Sequence, residues 1–115
     1  MPYISNKDDR RLRLRNGETA LTAGELNYQL FYYVKHTPKY MIEKEWIEDY
    51  IKSFLGEKPN YQRYNDMTGA LIRCYKEIKR RLKRNIKILL NVMESYDDEI
   101  AKYEDLKCSE NGDVE

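Results

Sequence analysis

Residues 60–103 read NYQRYNDMTGALIRCYKEIKRRLKRNIKILLNVMESYDDEIAKY. Their apolar and aromatic positions, Tyr64, Met67, Leu71, Cys74, Ile78, Leu82, Ile86, Leu89, Met93, Tyr96, Ile100 and Tyr103, recur in steps of three and four. Such spacing keeps one seam on one helix face, near a repeat of about 3.5 residues. No proline follows Pro59, no glycine stands between Gly69 and Gly112, and helix formers fill most positions between. The stretch predicts a long C-terminal amphipathic helix, either one rod or two helices hinged within Asn91 to Asp98. A rod of about 45 residues would span roughly 65–70 Å at about 1.5 Å per residue, against a radius of gyration of about 13–14 Å for a domain of this length. One chain cannot cover such a seam, so the expectation is an all-α domain that bends or associates with copies of itself.

The rest of the chain reads as packing around that stretch. Ser5 is a candidate N-cap for a short basic helix from Lys7 to about Arg15, ended by Asn16-Gly17. Thr22-Ala23-Gly24-Glu25 reads as a capping box for a second helix to about Lys35. Its apolar residues Leu26, Leu30, Phe31, Tyr33 and Val34 spread around more than one face, which implies burial on two sides. A third helix is predicted from Lys39 to Leu55, with Ile42, Trp46, Ile47, Tyr50, Ile51 and Phe54 on one stripe. Gly56 ends it, and Asn60 caps the long helix beyond Pro59. Gly69 sits inside that helix at a cost of about 0.8–1 kcal/mol against alanine, which suggests close backbone approach by another element. Residues 1–107 are expected to form one helical domain, followed by an acidic polar tail at 108–115.

Length and composition bound the function. At 115 residues the chain has room for one modest core. A net charge of +1 with 36% charged residues describes a solvated helical surface and disfavours a nucleic-acid partner. No apolar run approaches the roughly 18 residues of a membrane span, and the start lacks the apolar core of a signal peptide. Cys74 and Cys108 lie in unlike contexts and read as reduced thiols. Eleven tyrosines against two phenylalanines and one tryptophan put rings with a hydroxyl where interfaces and stacking pockets use them. The plainer reading places tyrosine at the rim of a small core. Basic residues gather from Lys76 to Lys87 and acidic ones from Glu94 onward, so an antiparallel copy would set opposite charges side by side.

Several short stretches carry a resemblance. They are Met1-Pro2-Tyr3-Ile4-Ser5; Gly24-Glu25-Leu26-Asn27-Tyr28; Tyr61-Gln62 with Asn65-Asp66 and Gly69-Ala70-Leu71; then Tyr103-Glu104-Asp105, Lys107 and Glu110-Asn111-Gly112-Asp113-Val114. Taken in order, the chain resembles a family of small proteins of unknown function in bacteriophages and phage-rich bacterial genomes. It departs by ending in Glu115, where the family tends to have tyrosine, and by extra helix between Arg81 and Tyr103. The resemblance implies a phage protein in the cytoplasm of a bacterial host. Small oligomeric phage proteins include several that sequester the cyclic nucleotides or ADP-ribose derivatives used as bacterial immune signals. The likeness to those is one of size, helical character and richness in tyrosine and arginine.

Catalytic constellations are missing from the pattern: no Cys/His pair, no Gly-rich phosphate loop, no metal-ligand spacing and no call for a cofactor. His36, the only histidine, suits the C-terminal end of a helix dipole. The reading is a non-enzymatic homo-oligomer that binds a nucleotide-like small-molecule anion between subunits. Tyr28, Tyr32, Tyr61 and Tyr64 would stack a base; Arg63, Arg73, Arg80 and Arg81 would hold phosphate; Asn27, Asn65 and Asp66 would bond base or ribose edges. A helical adaptor or inhibitor that binds a host or phage protein is the alternative.

Overall fold

At Lys83 the backbone enters the left-handed region, φ 57° and ψ 36°, and the helix that began at Tyr61 ends. The structure is a computed structural model that describes the backbone of residues 2–111 and the side chains of residues 9–104. The Gly112-Asp113-Val114 part of the phage-like tail, Glu115 and the side chain of Cys108 lie outside the described residues. Among the described residues the fold is all-α. It comprises α1 (Pro2–Arg15), α2 (Ala23–Lys35), a 3-10 turn (Lys39–Met41), α3 (Lys44–Leu55), α4 (Tyr61–Glu77), a π-helical turn (Ile78–Leu82), α5 (Ile88–Glu94) and α6 (Asp97–Asn111). None of these helices is long and apolar enough to cross a membrane.

The one rod, or two helices hinged within Asn91 to Asp98, expected over 60–103 is replaced by three helices with a π turn between the first two. Three consecutive steps of four, Cys74 to Ile78 to Leu82 to Ile86, overshoot a 3.6-residue turn, and there the chain winds the wider π turn. The Lys83 N–H closes that turn on the Ile78 carbonyl. Tyr75 then ties the reversal down, its hydroxyl donating to Asn85 Oδ1 at 2.6 Å. α5 returns along α4 and α3. A second break at Ser95-Tyr96, inside the expected hinge region, starts α6, whose Tyr103 hydroxyl donates to the Pro59 carbonyl at 2.9 Å. The longest dimension is 52 Å, well short of the rod.

This doubling back covers the seam. Tyr64, Met67, Leu71, Cys74, Ile78, Ile86 and Leu89 are buried in one cluster with Leu26, Leu30 and Val34 of α2 and Ile47, Ile51 and Phe54 of α3. Leu82, Met93, Tyr96 and Ile100 pack half-buried against it, and Tyr103 is the seam residue left exposed. The argument that an uncovered seam demands self-association therefore does not hold.

Helix ends follow local chemistry. Thr22 Oγ1 accepts the Glu25 N–H at 3.1 Å, and Asn60 Oδ1 accepts the Arg63 N–H at 2.8 Å. Gly17 and Gly56, at φ 98° and 76°, follow α1 and α3 in a conformation that glycine adopts freely. Two expected boundaries move. α1 starts at Pro2, so Ser5 lies inside it. The helix expected from Lys39 breaks at Ile42-Glu43, where the backbone extends and the Glu43 N–H donates to the Tyr33 hydroxyl at 3.0 Å.

α1 is clamped to α2 by Arg10, one of the residues that make the first helix basic. Its Nη2 and Nε donate to Glu25 at 2.6 and 3.0 Å, Nη2 also reaches the Thr19 carbonyl at 3.0 Å, and Nη1 pairs with Glu18. Glu25 bonds the Leu21 N–H at 2.9 Å rather than the Thr22 N–H of a closed capping box. The hydrogen bond from Arg10 holds the Glu25 carboxyl below its usual range, outweighing partial desolvation; the Leu21 N–H and the Arg10 and Arg13 charges add to the lowering.

Two outcomes are expected. Lys83→Gly relieves the left-handed strain and raises stability by about 0.5–1 kcal/mol, or about 2–5 °C in thermal melts. A straight helix through residue 83 gives the opposite sign, since interior glycine costs about 1 kcal/mol. Because the Glu25 carboxyl is depressed in the folded state, its contribution is present above about pH 4.5 and lost as pH falls through the folded value. Glu25→Gln should therefore flatten the acid limb of a Tm-against-pH curve relative to wild type.

Candidate functional site

Between the first turns of α2 and the middle of α4 lies an open cleft of about 330 Å³. The Thr22 cap fixes where α2 begins, and this sets Gly24 and Asn27 on one wall. Gly69, Arg73 and Glu77, four residues apart along α4, form the other wall over a floor of Ala23 and Ala70. A Cβ at Gly69 would meet nothing within 4 Å, so close helix approach is not what the glycine serves. It leaves the α4 backbone bare at the cleft instead.

Two adjoining clefts continue this one. Toward the π turn, a space of about 210 Å³ shares Gly24, Asn27 and Glu77 and adds Tyr28, Phe31 and Arg81. Along α4, a space of about 530 Å³ shares Gly69, Arg73 and Glu77 and adds Ile72, Lys76 and Arg80. The π turn supplies Arg80 and Arg81, so the reversal that completes the core also delivers guanidinium groups to the cleft. Glu77 stands where the three spaces meet. It accepts from Arg80 Nε at 2.7 Å and Nη2 at 3.1 Å. That pairing, then the charges of Arg80, Arg81 and Arg73, lowers its carboxyl below the usual range against slight desolvation. Arg81 lies over the Phe31 ring at 4.8 Å from the centroid.

Asn27 carries the unusual atom. Its Oδ1 is shut off from solvent with no hydrogen-bond partner among the described residues, although the residue lines two of the three spaces. An unpaired buried carbonyl oxygen costs about 1–3 kcal/mol, and Gln29 Oε1, away from the cleft, is another such atom among the described residues. No protein-family model, curated protein or solved structure matches this chain. The functional case rests on this geometry.

Of the sequence-predicted residues, Asn27, Tyr28, Arg73, Arg80 and Arg81 come together here. The other six lie elsewhere. Tyr32 sits beside His36, ring centroids 4.1 Å apart, under the Arg15 guanidinium at 4.6 Å. Arg63 covers Phe54 at 4.6 Å and donates to the Leu21 carbonyl at 3.0 Å, which is structural work. Tyr64 is buried against Tyr96 and Tyr103, and that burial raises its phenol. Asp66 accepts from Gln62 at 2.9 Å one turn back, while Tyr61 and exposed Asn65 stay at the start of α4.

Glu77, Phe31 and Gly24 were missed by the sequence reading. Helical spacing held the signal for Glu77, which stands four residues after Arg73 and three and four before Arg80 and Arg81. Among the described residues no group of His, Cys, Asp and Glu is arranged to hold a metal ion.

Asn27→Leu, close in volume, should leave the melting temperature unchanged or raise it by a few degrees, because it removes an unpaired polar atom. A loss of more than about 2 kcal/mol would mean the amide is bonded within the fold.

Proposed function

We propose that this chain is a non-enzymatic binding protein that takes up a nucleotide-derived anion in the cleft between α2 and α4 and thereby sequesters it. The observation that carries the reading is the gathering of three ligand-facing chemistries along one cleft. Arg73, Arg80 and Arg81 suit phosphate, Tyr28 and Phe31 offer ring faces, and the Asn27 amide lines two of the three spaces. A volume of a few hundred Å³ is in the range of small-molecule sites. The family resemblance supports a phage setting in the cytoplasm of a bacterial host, where cyclic nucleotides or ADP-ribose derivatives would be the signals removed. With the seam already covered, the ligand's partners are placed within one chain. A second copy would act as a cover over the open side, where Ile72 is exposed.

A second reading has its own observation. Tyr40 is 88% exposed, Met41 56% and Trp46 51%, and Trp46 stacks beside Tyr33 at 6.3 Å. Trp and Tyr on a surface are the residues that anchor protein interfaces, so this patch would serve a helical adaptor or inhibitor.

Calorimetric titration with cyclic dinucleotides, cyclic ADP-ribose isomers and adenine mononucleotides separates the two. The binding reading expects a stoichiometric complex, intact ligand recovered after denaturation, and a loss of tenfold or more in Arg73→Gln and Arg81→Gln, about the worth of one charge-assisted hydrogen bond. Trp46→Ala should leave that binding unchanged. No binding by any nucleotide, together with a partner captured from infected cells and lost in Trp46→Ala, would transfer the case to the adaptor.

A further inference from the structure

Three arginines reach the cleft system, and one carboxylate answers them. Among the described residues lining these three spaces Glu77 is the one carboxylate, and it sits at their junction; Glu25 lines a neighbouring space that shares Gly24 and Tyr28. Arg80 grips both its oxygens in the forked geometry that guanidinium also uses for phosphate. Arg73 and Lys76 make no hydrogen bond or ion pair among the described residues, and Arg81 lies over the Phe31 ring; Arg73 and Arg81 reach Glu77 through their charge. The side chain of Glu77 is 28% exposed at the cleft edge, so it has room to turn outward.

Resting on the binding reading above, we infer that Glu77 holds the place of the ligand's phosphate, and that the site selects a phosphomonoester over a phosphodiester. The reason is charge. A phosphodiester carries one negative charge, the same as the carboxylate it must displace from Arg80, so the exchange gains little. A phosphomonoester carries about −1.5 to −2 at pH 7 and presents three strong acceptor oxygens. It can engage Arg73, Arg80 and Arg81 together, where Glu77 has two oxygens and a short tether. The resident carboxylate thus acts as a threshold that weakly charged anions fail to pass. The ligand class that fits is a nucleotide with a terminal phosphate, which narrows the binding reading away from the cyclic nucleotides, whose phosphates are all closed into diesters, and toward terminally phosphorylated signals.

Adenosine 5′-monophosphate and adenosine 3′,5′-cyclic monophosphate form a matched pair, with the same base and sugar and a monoester against a diester. Titrated into wild type, the monoester should bind about tenfold tighter, the difference expected for one further charge-assisted contact. Glu77→Gln should tighten the monoester by a similar factor, and Arg73→Gln or Arg80→Gln should narrow its preference over the cyclic form. Circular dichroism would confirm that each variant folds, as all three positions lie at the surface of the cleft. Equal affinity for the two nucleotides, or weaker binding in Glu77→Gln, overturns the inference and leaves the binding reading standing. Inorganic pyrophosphate separates the remaining cases. If it binds, and Arg73→Gln weakens it, while neither nucleotide binds, the phosphate site stands and the nucleotide reading falls. No binding of any of the three overturns both.

Discussion

The reversal at Lys83 is the constraint on which the remaining architecture depends. A left-handed lysine costs about 1–2 kcal/mol against a helical one, and the π turn before it sacrifices ideal hydrogen-bond geometry. Against that stand Ile78, Ile86, Leu89 and Val92, all buried at or beyond the turn. Each contributes about 1.5–3 kcal/mol when removed from water. Burial wins by several fold, so the chain doubles back. Had the helix continued straight, the same aliphatics would have faced solvent along a rod.

The turn does more than close the core. Arg84 donates to the Val34 carbonyl at 2.9 Å and the Thr37 carbonyl at 2.8 Å, tying the segment after the turn to the end of α2. Arg81, three residues earlier, lies on Phe31 of the same helix. The basic run from Lys76 to Lys87 is thus divided by the turn's geometry. Arg84 fastens α2, while Arg73, Arg80 and Arg81 are left for the cleft. The near-zero net charge conceals this, because α6 carries acidic residues, Asp97, Asp98, Glu99 and Glu104 among them, on a separate element. Total charge therefore says little about the field at the cleft.

Much of the fold was legible because it is written in local chemistry. Thr22 and Asn60 cap as their side chains dictate, Gly17 and Gly56 turn the chain, and the apolar seam names the buried residues of α4 except Ala70, while in α5 it names Leu89 but not Val92. The turn itself hid inside the periodicity, because steps of four are tolerated in a helix as well as in a wider turn. Its trace was the run of three such steps from Cys74 to Ile86. The site was legible in part for a related reason. Asn27, Tyr28, Arg73, Arg80 and Arg81 were identifiable as residue types, but the cleft joins α2 to α4 across about forty residues of chain. Only the packing of those helices decides which tyrosines and arginines meet. Tyr64 and Arg63 had the right chemistry and were taken by the core and by Phe54.

The groups whose protonation is shifted lie in unlike surroundings, and each shift has a local cause. A general base works best with a pKa near the operating pH, which for a carboxyl means raised. Glu77 is moved the other way, its affinity for a proton reduced by Arg80. A nucleophilic cysteine needs a lowered thiol and some exposure. Cys74 is buried against apolar neighbours and its thiol is pushed up to about 12. The phenols of Tyr50, Tyr64 and Tyr96 are raised too, by burial first. Glu77 is thus held as a carboxylate, and Cys74 and the three phenols in their protonated forms. Around the cleft stand fixed positive charge and aromatic surface, with Arg81 laid over Phe31.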